Sequence, residues 1–385
     1  MSDAAETFPA IAPAAAPAPA AVERFAGASE WRLIWWRFRR HRLALASGIV
    51  VLLIYLLALF ADPIAPFGTE TSKPRYTYAP PQMLHLFRET EGGWRFEPHV
   101  TGYKVKVDPA AMRRVFVADP ETVIPIGLFV RGDPYSFLGL FESDIHLFGP
   151  KEHGQPFFLL GADRLGRDVL SRTIHGARVS MSIGLVGVLL SLVLGTILGG
   201  LSGYLGGLVD TAIQRIIEII RSIPTIPLWM GLAAAVPLTW HPLAVYFAVT
   251  IILSLIGWTT IARIVRGKFL SLRSEDFVVA ARLDGASRGR IILRHMLPSF
   301  YSYIIAATTL AVPTMILSET ALSFIGLGLQ PPMVSWGVLL KEAQNIRSLA
   351  SAPWLFAPGV AVMIAVLSLS FLGDGLRDAA DPYQK

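Results

Sequence analysis

The acidic and basic residues that could do chemistry in this chain are few and scattered. Asp163, Arg167 and Asp168 form the tightest group, within the segment LGADRLGRDVLSR. Catalysis needs a nucleophile, a base and an orienting group within mutual reach, and this spacing does not supply such a set. We therefore interpret the group as a hydrogen-bonded turn at the outer rim of a helix bundle, and we predict no catalytic residue.

The sequence also offers no pattern for a metal or nucleotide site. His175, His241 and His295 share no spacing typical of metal ligands. The chain has no cysteine, which excludes disulfides and thiolate metal sites but leaves the redox compartment undecided. It has no GxxxxGK(S/T) loop to hold phosphates, so it cannot be an ATPase itself. We predict that this chain binds no metal and no cofactor.

Glu319 is the most informative ionisable residue, because apolar residues surround it in ILSETALSFIG and an unpaired charge inside a membrane is costly. Two interpretations are equally open. Glu319 lines a path through the membrane or pairs across a dimer of subunits, or else it lies at the external interface, exposed or capping a short helix. Glu218 and Arg221, three residues apart, are interpreted as a local helix pair with the arginine extending outward.

The composition indicates that lipid, rather than water, surrounds most of the chain. Apolar residues make up 53% of the sequence and charged residues only 16%, a balance unusual for a soluble protein. The formal net charge of +6 does not indicate nucleic-acid binding, because the basic residues concentrate at the ends of apolar runs. That distribution is typical of loops that stay on the cytoplasmic side of a membrane.

Six apolar runs are long enough to cross a bilayer. They are predicted at Leu43–Phe60, Val179–Gly203, Ile216–Val236, Leu243–Ile261, Tyr301–Ser318 and Trp354–Phe371. Six crossings place both termini in the cytoplasm. The charge distribution agrees, because the connection between the fourth and fifth spans is rich in arginine, whereas residues 237–242 contain no lysine or arginine.

The spans divide the chain into five predicted regions. These are a disordered, cytosolic Ala/Pro-rich tail (1–28), a basic and aromatic anchor with the first span (29–61), an extracytoplasmic insertion (62–178), a five-helix core (179–376) that includes a cytoplasmic loop (263–299), and a cytosolic C-terminus (377–385). Within the insertion, YKVKV and VIPIGLFV predict short strands, and DPA and RGDPY predict turns.

Small residues and prolines predict how two of the spans are used. Gly195, Gly199 and Gly203 recur every four residues, which lets a neighbouring helix backbone approach closely. Pro224 and Pro227 predict a bend or break in the third span. Backbone groups freed by such a break are tolerated in a membrane only inside protein or beside a wet cavity, so this span is a candidate lining of a pathway.

The segment EDFVVAARLDGASRGRIILRHMLPS, residues 275–299, is unusually polar for its surroundings. Acidic residues in a first turn and a cap by Ser274 predict a helix that runs to Leu283. Gly285 supplies the left-handed residue that ends it. The result is a small-residue corner with arginines around it.

A second short helix is predicted after the corner. Ser287 caps it, it covers Arg288–Met296, and Pro298 prevents it from continuing. From the residues alone, two interpretations carry equal weight: an amphipathic loop lying on anionic lipid, or a docking element for another protein.

The same segment resembles the cytoplasmic loop signature of ATP-binding-cassette importer permeases. The matching positions are Ala280, Ala281, Gly285, Leu297 and Pro298. Val279 stands where that signature has a glutamate, and His295 where an isoleucine is usual. RHMLPS is similar to the variant in the dipeptide and oligopeptide permease branch. As a whole the chain resembles the C-type subunit of the dipeptide, oligopeptide and nickel importer family.

Two further segments support the resemblance. LGADRLGRDVLSR is similar to the segment before the second span in that branch, with Ala162 in place of a usual threonine. LSETALSFIGLGLQPPMVSWG is similar to the segment after the fifth span. The resemblance covers roughly residues 30–380, although the insertion before residue 160 is longer than the family leads us to expect.

The resemblance implies an all-α integral membrane protein, a six-helix type I ABC importer transmembrane domain with an extracytoplasmic insertion of mixed short strands. It implies a multi-pass subunit of the bacterial inner membrane that forms half of a pathway for peptides, opines or nickel chelates. The partners implied are a second homologous permease, two ATPase subunits that use ATP and Mg²⁺, an extracytoplasmic substrate-binding protein and membrane lipid, with no nucleic acid. Residues 275–299 then form a coupling loop, with its corner at Ala280, Ala281, Gly285 and Ala286.

Two other classes of protein remain open at this point. An ion-coupled secondary transporter would use a buried Glu or His as a proton carrier and would work without ATPase partners. A membrane enzyme would need a catalytic set at the boundary and is the weaker alternative. The cargo cannot be read from the sequence, because in such importers the binding protein largely sets the specificity.

Overall fold

The computed structural model describes residues 30–90, 93–108, 113–237 and 239–380. The predicted N-terminal tail, residues 1–28, lies outside the described residues. So do residues 381–385 of the predicted C-terminal region and most of the DPA turn.

Two helices lead into the first membrane span. Helix α1 (Glu30–Arg40) carries exposed tryptophans, and the Arg40 guanidinium lies 3.8 Å from the centre of the Trp36 ring. Helix α2 (Arg42–Leu59) is the span itself, and the His41 imidazole caps it by accepting a hydrogen bond from the Ala44 amide (3.1 Å). A single turn, α3 (Ala61–Ile64), follows. The basic and aromatic residues of α1 therefore sit where a membrane–water interface favours them.

The insertion folds into a four-stranded antiparallel sheet in the order β1-β2-β3-β4. The strands are β1 (Leu84–Thr90), β2 (Gly93–Asp108), β3 (Arg113–Phe137) and β4 (Phe141–Pro150). Three of them are longer than the short strands predicted. The turn predicted at RGDPY is wrong, because these residues belong to β3 and shift its register against β4.

The α-helices that follow the sheet make up the rest of the membrane portion and its connections. They are α4 (Val169–Leu205), α5 (Gly207–Ser222), α6 (Thr225–Ala234), α7 (Pro242–Leu272), α8 (Asp276–Leu283), α9 (Arg288–Arg290), α10 (Tyr301–Ile325), α11 (Trp336–Lys341), α12 (Ile346–Ser351) and α13 (Ala357–Ala380). Helix α4 begins before the predicted Val179, because Asp168 caps it at an earlier residue.

Within the described residues, five helices are long and apolar enough to cross a membrane, and the bent pair α5–α6 makes a sixth. The pair bends by 88° at Ile223 and Pro224. Pro224 stands immediately before α6, where a residue without an amide proton starts a helix without losing a bond. The helical membrane architecture is therefore confirmed with five to six spans, and the third predicted span is broken before α6, where Pro224 lies.

Helices α4 and α7 approach each other closely at three glycines. A methyl group added at Gly195 would lie 2.7 Å from the Cβ of Ile261, and one at Gly203 would lie 2.8 Å from the Arg266 carbonyl oxygen. At Gly199 it would collide with the Ala262 backbone. The three glycines thus place the two backbones in contact along one face.

We expect the change Gly199→Ala to destabilise the bundle, because the added methyl group meets backbone atoms that cannot rotate away. Overpacking of this kind costs about 1–3 kcal/mol. Thermal unfolding of the purified protein in detergent measures the loss. Gly267→Ala on α7 is the matched control, since a methyl group there meets no atom within 4 Å, and equal melting of the two variants would contradict the proposed contact.

Candidate coupling loop and central cavity

The corner of the coupling loop, residues 275–299, is built by a left-handed glycine. Helix α8 ends at Leu283, and Gly285 has φ of +77°. The Ala286 amide donates a hydrogen bond to the Ala281 carbonyl (3.0 Å), and the Asp284 amide donates to the Ala280 carbonyl (2.9 Å). This pattern closes the free carbonyls at the helix end and requires a residue that adopts positive φ without strain.

Two details of the predicted loop are wrong. Ser274 does not cap α8, because its hydroxyl bonds to the Ser271 carbonyl (3.4 Å), and Glu275 stands at the cap position without a side-chain bond. Pro298 does not end the second helix. It lies in the first turn of a 3₁₀ segment, where its missing amide proton costs no hydrogen bond, and the chain stays helical from Arg288 to Ile325.

The helix that follows the corner changes its winding before it joins α10. The Ser287 hydroxyl accepts a hydrogen bond from the Arg290 amide (3.4 Å), the capping that the sequence predicts. A π-helical turn covers Ile291–Met296 and a 3₁₀ turn covers Leu297–Phe300. The coupling loop is therefore joined to α10 by continuous helical backbone and not by an extended linker.

The inner face of the loop is anchored in a buried apolar cluster. Val278 and Ala281 of α8 contact the same cluster as Ile291 and Met296 of the π turn. Helices α7 and α10 complete it with residues that include Phe269, which is fully buried. The loop, α7 and α10 are therefore packed as one unit, because protein interiors resist deformation.

The outer face of the loop combines apolar and basic residues. Val279, at the position where the family signature has glutamate, is exposed, and Leu283, one turn later, is 82% exposed. Phe277 and Leu293 are exposed as well. The Arg282 guanidinium lies 5.9 Å from the centre of the Tyr204 ring of α4. A patch of this kind on an otherwise packed element is typical of a protein docking surface.

A cavity of about 570 Å³ lies between α4, α5, α6, α7 and α10, with one residue of α13 in its lining. Its walls are mainly apolar, with hydroxyl groups from Thr225, Thr260 and Thr314 and guanidinium groups from Arg221 and Arg377. Pro224 forms the break that turns Thr225 and Trp229 towards it. Pro224 and Pro227 are not among its lining residues.

The pairing predicted for Glu218 and Arg221 is wrong. Glu218 pairs with Arg215 one turn earlier (2.7 Å), which leaves Arg221 to donate a hydrogen bond to Thr260 of α7 (3.1 Å). Both of the latter residues line the cavity. Arg221 therefore contributes positive charge to the wall of the cavity and not to a local pair on its own helix.

Glu319 is fully buried and accepts three hydrogen bonds from serine hydroxyls. Ser323 (2.8 Å) and Ser335 (2.7 Å) donate to Oε1, and Ser180 of α4 donates to Oε2 (3.1 Å). The exposed alternative for Glu319 is therefore wrong. Ser318 lines the cavity, whereas its neighbour Glu319 does not. A role for Glu319 in the pathway therefore stays a prediction.

Each of these three serine hydroxyls also accepts a hydrogen bond from a backbone amide. The Ser180 hydroxyl accepts a hydrogen bond from the Trp336 amide (3.1 Å), Ser335 from Val338 (3.2 Å) and Ser323 from Leu329 (3.0 Å). The network therefore ties α4, α10 and the start of α11 together. Each of these hydroxyls accepts a hydrogen bond from an amide and still has its own proton to donate. The Glu319 carboxylate accepts all three of these protons and so completes the network.

The group Asp163, Arg167 and Asp168 forms a hydrogen-bonded turn before α4. Asp163 Oδ2 accepts from the Arg167 Nε (2.7 Å) and from Nη1 of the buried Arg172 (2.6 Å). Asp168 caps α4 by accepting a hydrogen bond from the Ser171 amide (2.7 Å). Burial raises the pKa of the Asp168 carboxyl to about 6, although the hydrogen bonds from Ser171 lower it. Within the described residues no cluster of His, Asp and Glu could hold a metal ion.

Two ion pairs between distant segments are not indicated by any local pattern in the sequence. Arg178 of α4 bonds to Asp62 after the first span (2.8 Å) and to the Ala58 carbonyl (3.1 Å). Arg266 of α7 forms two bonds of 2.6 Å with Asp210 at the start of α5. Bidentate pairs of this kind fix orientation as well as distance.

Comparison with known families matches two parts of the chain. The model "Binding-protein-dependent transport system inner membrane component" matches residues 192–384, and "N-terminal TM domain of oligopeptide transport permease C" matches residues 29–81. These two models leave residues 82–191, which contain the sheet, unmatched.

Curated relatives match over longer stretches. The chain is 37% identical over 271 residues to the oligopeptide transport system permease protein OppC of Salmonella typhimurium, covering 70% of this chain and 87% of the relative. It is 39% identical over 227 residues to the dipeptide transport system permease protein DppC of Alkalihalophilus pseudofirmus, covering 58% and 72%. An inward-facing structure of the MetNI methionine ABC transporter aligns at 20% identity with a TM-score of 0.44, covering 55% of this chain and 97% of that chain.

We expect Glu319→Leu to destabilise the junction of α4, α10 and α11, because three serine hydroxyls lose their acceptor. Each buried group left unpaired costs about 1–3 kcal/mol. Glu319→Gln keeps one acceptor oxygen and should lose less. Thermal unfolding measures both variants against Ser318→Ala, whose hydroxyl bonds only to the Thr314 carbonyl of its own helix (2.7 Å). A Glu319→Leu variant as stable as this control would show that the network is not needed.

Proposed function

The chain belongs to the family of binding-protein-dependent transport system inner membrane components, and we propose on that premise that it is a permease subunit of an ATP-driven importer of peptides or related small solutes. The observation that carries the proposal is the family match over residues 192–384, which include the coupling loop, together with the identity to oligopeptide and dipeptide permeases. The subunit would form half of the translocation pathway, and a second related permease would form the other half.

The energy for transport comes, in this proposal, from two partner ATPase subunits that bind ATP and Mg²⁺. Their closure would press on the outer face of the coupling loop, where Val279 and Leu283 are exposed. The packing of Val278 and Met296 against α7 and α10 supports transmission of that push into the bundle. Coupling of this kind requires that the ATPases bind one arrangement of the bundle more tightly than the other.

Solute passage is assigned to the cavity between α4, α5, α6, α7 and α10. Its apolar walls with dispersed threonine hydroxyls suit a solute that must not be held tightly, and Arg221 and Arg377 supply positive charge. An extracytoplasmic binding protein would deliver the solute. Peptides are favoured by the names of the relatives, whereas opines and nickel chelates remain to be tested on that partner by thermal-shift screening.

The arrangement proposed in the membrane has both termini in the cytoplasm. The arginines on and around the coupling loop support this, because positive charge is retained on the cytoplasmic side. The sheet would then lie on the external side together with the Asp163 turn.

Co-purification tests the proposed assembly directly. Tagged protein isolated from its native membrane should bring down two nucleotide-binding subunits and a second permease, and reconstituted transport should require all of them. Transport by this chain alone would overturn the proposal in favour of an ion-coupled carrier.

We expect Gly285→Trp to uncouple the importer while leaving the subunit inserted. The side chain would project from the corner, where a Cβ meets no atom of this chain within 4 Å, and it would hold the partner surface away. Positive φ adds about 1–2 kcal/mol of strain for a residue with a side chain. Cargo-stimulated ATP hydrolysis by the assembled complex should fall to the rate measured without cargo, because coupling requires the ATPases to contact this corner.

Gly289→Trp is the matched control for this experiment. Gly289 lies on the same exposed loop, has equal room for a side chain and no positive φ. Full hydrolysis and uptake in Gly285→Trp, or an equal loss in both variants, would contradict the assignment of the corner as the coupling contact.

A further inference from the structure

The hairpin formed by β3 and β4 ends in an unusually apolar tip. Phe137 pairs with Phe141, and Leu138 and Gly139 turn the chain with φ of +52° and +71°. Leu140 is 74% exposed, and Leu138 and Phe141 are also exposed. Large apolar side chains concentrated at an exposed tip indicate contact with a partner or with a membrane.

The hairpin is held in a fixed place beside the end of the first span. His146 of β4 is buried and hydrogen-bonds through Nδ1 to the Ala65 carbonyl (2.5 Å). The Asp133 carboxylate of β3 accepts from the Gly68 amide (2.9 Å) and from the Thr71 hydroxyl. Both strands are thus joined to the segment that follows α3, so the direction of the tip is set by the span.

The tip lies alongside α2. The rings of Phe137 and Phe60 stack with their centres 5.6 Å apart and their planes 10° from parallel. An apolar groove of about 640 Å³ separates the hairpin from the helix. Its lining residues include Leu53, Leu56 and Phe60 on the side of the helix and Phe129, Ile145 and Leu147 on the side of the hairpin.

The groove reaches to the depth of the hydrocarbon. Leu53 precedes the end of α2 at Leu59 by six residues, which at about 1.5 Å per residue is about 9 Å along the span. Hairpin side chains such as Ile145 and Leu147 share the groove with it. The groove is also continuous with the exposed apolar face of α2, where Leu52 and Leu53 are each 58% exposed.

We propose that the β3–β4 hairpin inserts its tip into the membrane leaflet around the end of α2 and that phospholipid acyl chains fill the groove. The tip, residues 137–141, contains no basic residue, and Arg131 further along β3 pairs with Asp144 (3.9 Å), so insertion depends on apolar burial and not on anionic headgroups. The hairpin stays near the interface, because a two-stranded ribbon leaves backbone groups unpaired that hydrocarbon cannot satisfy. These residues lie outside both matched family models, and the proposal concerns a contact with lipid and not the passage of solute.

The absence of cysteine allows a single probe to be placed anywhere in the full-length chain. Leu140→Cys carries an environment-sensitive fluorophore, and the protein is reconstituted in vesicles of phosphatidylethanolamine and phosphatidylglycerol. Val107→Cys is the matched control, since Val107 is 64% exposed on β2 near the opposite end of the sheet. A nitroxide on the lipid acyl chain should quench the probe at Leu140→Cys and not at Val107→Cys, and aqueous iodide should do the reverse.

A second variant tests the cause of insertion. With the probe at Leu138→Cys, the added change Leu140→Asp should abolish quenching by the acyl-chain nitroxide and restore quenching by iodide. The proposal is overturned if iodide quenches both tip and control probes equally, or if the tip is shielded only when the partner permease or the binding protein is added. Neither outcome depends on transport, so the result is independent of the function proposed above.

Discussion

The close contact between α4 and α7 is the constraint on which the rest of the membrane portion depends. Helices in lipid gain little from burying apolar side chains against each other, so their association relies on close packing and polar contacts. Gly195, Gly199 and Gly203 bring the backbone of α7 against that of α4. The coupling loop continues from α7, and both helices supply walls of the cavity. The same pair of helices therefore positions the surface where force would enter and the space where solute would pass.

Polar contacts determine the ends of this packing. At one end Arg266 and Asp210 connect α7 to the start of α5, so the broken third span is held at a fixed angle before it turns. At the other end Glu319 and its serines connect α4 with α10 and with the segment that leads into α11. Neither set depends on shape alone, since each loses hydrogen bonds if a helix rotates. The apolar contacts between the two sets tolerate small shifts, whereas the polar contacts at either end specify which helices pack together.

The parts of the fold that the sequence predicted are those that depend on local chemistry. Span positions follow from run length, the corner at Gly285 from a glycine after a helix, and the break before α6 from Pro224. Contacts between distant residues decide the rest. Ser180 and Ser335 reach Glu319 from elsewhere in the chain, and Arg178 finds Asp62 only after folding. The prediction that Pro298 ends the second helix is wrong because a 3₁₀ turn accommodates the proline, and the residue types alone do not predict that turn.

The π turn at Ile291–Met296 contains one more residue than an α-helix of the same length. Its wider winding absorbs the extra residue, so the corner before it and α10 after it keep the relation that a regular helix one residue shorter would give. Loss of one residue from the regular winding of α10 would instead rotate everything before it by about 100°. The turn is therefore a place where the junction between the corner and α10 can gain or lose one residue while the corner still faces the same way.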